Sequence, residues 1–150
     1  MESQKDLRKK LKTLFEKQSI GVLSTQKRNR PYASLVAFAA TDDFKNFIFA
    51  TPRTTRKYAN IMASSRAALL VDNRSNRTSD FRKAMAVTIV GSVRELRKSG
   101  KSRLIQLYVH KHSHLNDFIQ SPTCAVLCLT AKTLHIVDRF QHVVEFHLNK

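Results

Sequence analysis

The chain has 150 residues, 42% of them hydrophobic, with 27 Lys and Arg against 11 Asp and Glu for a formal charge of +16. That length suits one domain around one core. No apolar run reaches the roughly 18 residues of a membrane span, and the charged start, Met1 to Lys12, lacks the apolar segment of a secretory signal, so a cytoplasmic protein is expected.

In chain order, Lys5 to Lys17 reads as an amphipathic helix with Leu7, Leu11, Leu14 and Phe15 as its apolar stripe. Its basic residues lie off the stripe, and the pattern predicts packing on a core rather than on a membrane surface. Ser19 to Thr25 is β-prone, Gln26 to Pro31 reads as a hairpin turn, and Tyr32 to Thr41 as a longer strand rich in small residues. Phe47-Ile48-Phe49-Ala50 reads as a buried strand. After Pro52 comes a helix from Arg56, with Thr54 and Thr55 placed to cap it and Tyr58, Ile61 and Met62 as its buried side. Ala67 to Val71 returns as a strand, and Asp72 to Phe81 is a polar loop.

Ala84 to Leu96 reads as a long strand, in which Gly91 is a candidate bulge or bend. Lys98 to Lys101 ends it. Ser102 caps a helix carrying Leu104, Leu107 and Tyr108, and a helical turn with Leu115, Phe118 and Ile119 follows. Cys124 to Thr130 and Thr133 to Val137 read as two strands about an Ala131-Lys132 turn, and Gln141 to Leu148 as the last strand. Cys124 and Cys128 would share a strand face about 13 Å apart, too far for a disulfide, which predicts buried thiols. About seven strands and three or four helices, without regular β-α-β alternation, predict an α+β barrel rather than a parallel sheet.

The chemistry concentrates where Phe47–Ala50 hands over to the helix: Thr51, Arg53, Thr54, Thr55, Arg56 and Lys57. Free N–H groups at a helix start attract an anion, arginine offers a planar fork to phosphate oxygens, and lysine adds a point charge. The turn reads as a phosphate cradle; a capped helix with solvated charges is the alternative.

The run Phe47 to Thr51, the Thr55-Arg56-Lys57 turn and the strand Arg66 to Val71, in that order, resemble the pyridoxamine 5′-phosphate oxidase-like FMN-binding split barrels. The looser pattern spans Ser19 to Val144. The resemblance implies a split β-barrel with flanking helices, FMN held between the subunits of a homodimer, and oxidoreductase chemistry. It implies that Thr51, Thr55, Arg56 and Lys57 hold the phosphate, with Thr54 beside them in the cofactor site, and that the backbone around Ser34, Leu35 and Val36 meets the ring. Asn73, by its position after the next strand, reads either as a hydrogen-bond partner of the flavin or its ribityl chain or as an ordinary turn residue. Three departures from the true oxidase leave FMN binding as the expectation and count against pyridoxamine phosphate oxidation. Ser34 stands where the oxidase carries an arginine for the phosphate, Ala86 where it carries a glutamine near the flavin, and the C-terminal substrate segment with Arg and Trp is missing.

Two other classes remain at this point. One is a flavin or haem binder without turnover; relatives that bind haem through C-terminal histidines make His135, His142 and His147 candidates, while His110, His112 and His114 read as structural or solvent-exposed. The other is a basic nucleic-acid-binding module, favoured by charge alone, since no helix-turn-helix, zinc-finger or RRM signature accompanies it and no specific nucleic acid is expected. No paired carboxylates, P-loop or G-x-S-x-G motif supports other catalysis.

Overall fold

The computed structural model describes residues 3–99, 102–139 and 142–148. Gly100 and Lys101, expected at the end of a strand, and Gln141, expected to start the last one, lie outside these. The elements are α1 (Gln4–Lys17), β1 (Ile20–Lys27), β2 (Arg30–Ala40), β3 (Asn46–Pro52), α2 (Arg56–Ala63), β4 (Arg66–Asp72), α3 (Asp80–Lys83), β5 (Met85–Glu95), α4 (Arg103–Lys111), a 3-10 turn (Ser113–Leu115), α5 (Asn116–Gln120), β6 (Cys124–Asp138) and β7 (His142–His147).

All strand pairs are antiparallel, in the order β3-β2-β1-β4-β5-β6-β7, and β3 also pairs with β6. That last pairing closes six strands into a barrel and leaves β7 as an extra strand on β6. The β1–β2 hairpin is tighter than expected. Arg28 and Asn29 alone turn it, both in the left-handed region (φ 52° and 62°), so the residues on either side join the ladder.

The expected pair of strands around Ala131-Lys132 is instead one 15-residue strand, β6. Its edge facing β5 pairs from Leu127 to Asp138, while the other edge passes from β3, at Cys124–Thr130, to β7, at Thr133–Asp138. Opposite Gly91 the register slips by one residue, because Val90 faces Thr133 and Gly91 faces Ala131. Lys132 is the extra residue of this bulge, and it produces the polar interruption that reads locally as a turn. The polar loop after β4 likewise contains the short helix α3.

Phe38, Phe47, Phe49, Leu23, Leu69 and Leu127, all fully buried, fill the barrel, and the whole apolar stripe of α1 joins the same core. A second cluster lies outside the wall, where Ile105, Tyr108 and Ile119 of α4 and α5 cover Ala39, Ile48, Val126 and Cys128. Both cysteines are buried free thiols. Of the helix residues expected in this layer, Tyr108 and Ile119 are fully covered, with Ile105 beside them, while Leu104, Leu107, Leu115 and Phe118 pack at its margin.

Polar contacts fix this outer layer. The Tyr108 hydroxyl donates to the Ala37 carbonyl (3.2 Å), and His112 Nε2–H donates to the Phe38 carbonyl (2.7 Å), with burial lowering the His112 pKa. Lys111 Nζ donates to the Phe15 and Gln18 carbonyls at the end of α1 (2.8 and 2.6 Å) and sits 4.2 Å above the Phe38 ring. Burial lowers the Lys111 ammonium to about 8, with Glu16 opposing. Its folded pKa therefore lies below its unfolded one, and the unfolded chain binds more protons between them. Stability is expected to rise as pH goes from about 8 to about 10, relative to Lys111→Met, which loses that dependence. Denaturant midpoints of the two proteins across this window check it.

Candidate functional site

The ladder between β2 and β3 is short. Only Phe38–Ala40 pair with Phe47–Phe49, although β2 starts at Arg30 and β3 runs on to Pro52. Past Phe49, β3 stays paired to β6 through Pro52. The barrel wall therefore splits between β2 and β3, and among the described residues the edge of β2 before Phe38 has no strand partner on that side. The β3–α2 turn stands at this split.

Hydroxyls shape the turn. Thr51, 1% exposed, lies with its Oγ1 2.7 Å from that of Thr55, and both hydroxyls reach the Pro52 carbonyl at 3.1 Å. Thr55 is the N-cap of α2 and accepts from the Tyr58 N–H (3.3 Å). These hydroxyls thus organise the bend as well as line it. The next N–H groups, those of Arg56 and Lys57, have no partner among the described residues. They stand at the positive end of the helix dipole, the arrangement that binds anions. Thr54 is exposed at the tip of the turn.

The Arg56 guanidinium lies 5.4 Å from the ring centre of Tyr32 on β2, which bridges the split. Tyr32, Ser34 and Val36 alternate on one face of β2, with Val36 buried, while Leu35 points outward and is 67% exposed. Ser34 Oγ is a buried polar atom without a hydrogen-bond partner among the described residues. A buried hydroxyl without a partner calls for one, and this one lies on β2 four residues before its ladder to β3 begins.

Arg53 has another occupation. Its Nη1 lies 2.7 Å from Glu95 Oε2 and donates to the Tyr58 hydroxyl (2.9 Å), which donates to Glu95 Oε1 (2.7 Å). Burial opposes charge on Glu95, but the hydrogen bonds from Tyr58 and Arg53 prevail and hold its carboxyl below the usual range. The bond to Glu95 raises both the Arg53 and the Tyr58 pKa. Of the turn's three cations, Arg56 and Lys57 have no ion-pair partner among the described residues, while Arg53 ties the turn to the end of β5.

Glu95 and Tyr32 escape a reading of the sequence because Glu95 lies 37 positions from Tyr58 and 42 from Arg53, and Tyr32 lies 24 from Arg56. The buried face of α2 also differs from the periodic expectation. Met62 is 53% exposed, and Asn60 is buried in its place, donating from Nδ2 to Thr25 Oγ1 (3.1 Å). Asn73 stands apart from the turn. It follows the far end of β4, about 20 Å along the barrel from Arg66. There its Oδ1 accepts from the Met85 N–H (2.7 Å), and its own N–H donates to the Met85 carbonyl (3.2 Å).

The candidate histidines lie on β6 and β7. His135 and His147 each stand 3.3 Å from Glu145, and His142 is 2.6 Å from Asp138. Among the described residues no group of three or more His, Cys, Asp or Glu is placed to hold a metal, and no helix is long and apolar enough to cross a membrane.

A six-stranded antiparallel barrel split beside a threonine-rich strand-to-helix turn defines the split-barrel class. The family model described as pyridoxamine 5′-phosphate oxidase matches residues 7–138, and the chain belongs to this family of split barrels. No curated protein sequence matches it.

Solved structures repeat the fold. A haem-binding protein from Mycobacterium smegmatis superposes with a TM-score of 0.81 at 13% identity over 93% of this chain; the chain spans 57% of that protein's length. A protein from Listeria innocua described as a putative pyridoxamine 5′-phosphate oxidase gives 0.68 at 15% identity, over 88% of this chain and 98% of its own. An FAD-binding protein from Mesorhizobium loti gives 0.67 at 16%, over 85% and 89%. At these identities the likeness is one of fold.

Proposed function

We propose that the protein binds FMN at the β3–α2 turn and works as a flavin-dependent oxidoreductase, as a homodimer in the cytoplasm. The observation that carries this reading is the turn itself: among the described residues, two N–H groups at the start of α2 without a partner, flanked by the cations Arg56 and Lys57 without an ion pair, beside a β2 edge that no described strand covers. Arg56 and Lys57 neutralise the phosphate, and their N–H groups donate to its oxygens. The Ser34 hydroxyl, without a partner among the described residues, gains one. The backbone of Ser34, Leu35 and Val36 offers amide and carbonyl groups along the split to orient the polar rim of a flat ring. A bound flavin supplies the electron or hydride transfer, so no nucleophile or acid–base pair is required of the chain. The surplus of positive charge favours an anionic reduced ring and draws in acidic partners.

The homodimer is supported by an uncovered apolar face. Ile20 (55% exposed), Leu35, Val90, Val137 and Val143 (60%) all point outward from neighbouring strands, with Val22, Ala68 and Leu70 between them. A second copy would cover such a patch. Relatives of known fold include a haem binder and an FAD binder, so the cofactor is the first thing to identify. The purified protein is expected to show the paired visible bands of oxidised flavin, to release FMN on heating, and to elute as a dimer. A Soret band with no flavin released would replace this reading with a haem binder, and a colourless protein that gains no flavin on titration would sink it.

A further inference from the structure

At the end of the barrel away from the turn, α1, the loop after β4 and the end of β6 enclose a second cleft of about 620 Å³, within the range of small-molecule sites. Its rim carries Lys9, Lys10, Lys17, Arg82, Lys83 and Arg139. Among the described residues Asp138 is the one carboxylate that lines it, and it is engaged by His142 (2.6 Å) and Lys10 (4.0 Å). The buried side chains of Leu14 and Met85 form its base.

The basic wall is built rather than incidental. The Asp80 carboxylate accepts from the N–H groups of Ser75, Asn76 and Arg77 and from the Ser75 hydroxyl, which folds the loop and sets α3, with Arg82 and Lys83, against the cleft. Asn73 closes the loop's other end on Met85 through its Oδ1, leaving its Nδ2 without a partner among the described residues. The cleft thus joins a small apolar base, an amide donor and a strongly cationic rim.

We propose that this cleft is a second ligand site, distinct from the β3–α2 turn, for a nucleoside polyphosphate. The rim takes the phosphates and the Leu14–Met85 base takes the ring system. A pocket of this volume suits one small molecule, and the cations converge on it instead of forming the extended stripe that tracks a nucleic-acid backbone.

ADP is the probe, measured by equilibrium dialysis against the whole protein saturated with FMN and against Arg56→Ala/Lys57→Ala. Saturable ADP binding is expected in both, with at least a tenfold loss in Lys9→Glu/Arg82→Glu, whose changed residues are exposed and leave the melting temperature in place. Pyrophosphate is expected to bind more weakly than ADP, since it cannot use the apolar base. The proposal is overturned by ADP binding that Lys9→Glu/Arg82→Glu leaves intact, by binding lost instead in the turn variant, or by no binding at millimolar ADP. It is also overturned if a fifteen-nucleotide oligo(dT) displaces ADP at lower concentration than ADP itself does. Because the two variants sit at opposite ends of the barrel, an error about the turn and an error about this cleft give different patterns.

Discussion

Gly91→Ala is expected to destabilise the barrel by about 3 kcal/mol or more, lowering the melting temperature by roughly 6–12 °C for a domain of this size. A Cβ at Gly91 would stand 2.0 Å from the Thr130 carbonyl oxygen, 2.8 Å from its carbon and 3.1 Å from the Ala131 Cα. All three are backbone atoms of β6, so no side chain can turn aside to make room. The contact falls at the register slip between β5 and β6, where Lys132 bulges out and β6 passes its other edge from β3 to β7. Relief would require β5 and β6 to separate at the point that lets one strand serve both the barrel and the extra strand. Gly21→Ala is the comparison. Its Cβ would meet the Leu69 Cδ1 and the Leu70 carbonyl oxygen at 3.0 Å, tight contacts of which one is the end of a flexible side chain, and a smaller loss is expected. Thermal melts of both proteins decide the matter, and equal losses would remove the special place given to the bulge.

What the sequence makes legible follows the reach of each interaction. The stripe of α1 repeats within a few residues, and all four of its members are buried. The α2 cap is equally local, since Thr55 sits three residues before the N–H it accepts from. Gly91 signals its bulge because no other residue tolerates so close a backbone. The long-range features leave no such trace. Closure of β3 on β6 joins residues about 70 to 85 positions apart, and nothing near Lys132 reveals that its polarity belongs to a bulge in a continuous strand. The site divides in the same way. Thr51, Thr55, Arg56 and Lys57 are gathered by the local chain, whereas the Glu95 that occupies Arg53 and the Tyr32 beneath Arg56 arrive from other strands. Asn73 lies near the turn only in the sense that β4 begins there; seven residues of extended strand carry it to the other end of the barrel.

Arg56→Ala/Lys57→Ala is expected to weaken FMN binding by two to four orders of magnitude while leaving riboflavin binding nearly unchanged. Each lost charge-assisted hydrogen bond to phosphate is worth about 1.5–3 kcal/mol, and the pair act on one group, so their sum is an upper bound. Riboflavin has the same ring and ribityl chain but no phosphate, so the ratio of the two affinities isolates the anionic end. Among the described residues neither cation has an ion-pair partner and the Arg56 side chain makes only its contact with Tyr32, so the fold should survive and melting should shift little. Removing Thr55 would be a poorer test, because its hydroxyl caps α2 and meets Thr51, and the loss would mix turn stability with binding. Arg53→Ala would break the link to Glu95 and confuse the result in the same way. Flavin fluorescence titrations at low and moderate salt supply the readout, with the difference between FMN and riboflavin shrinking as salt screens the charges. Equal weakening of both ligands would mean that the substitutions disturb the ring's site, and unchanged FMN affinity would put the phosphate somewhere other than the start of α2.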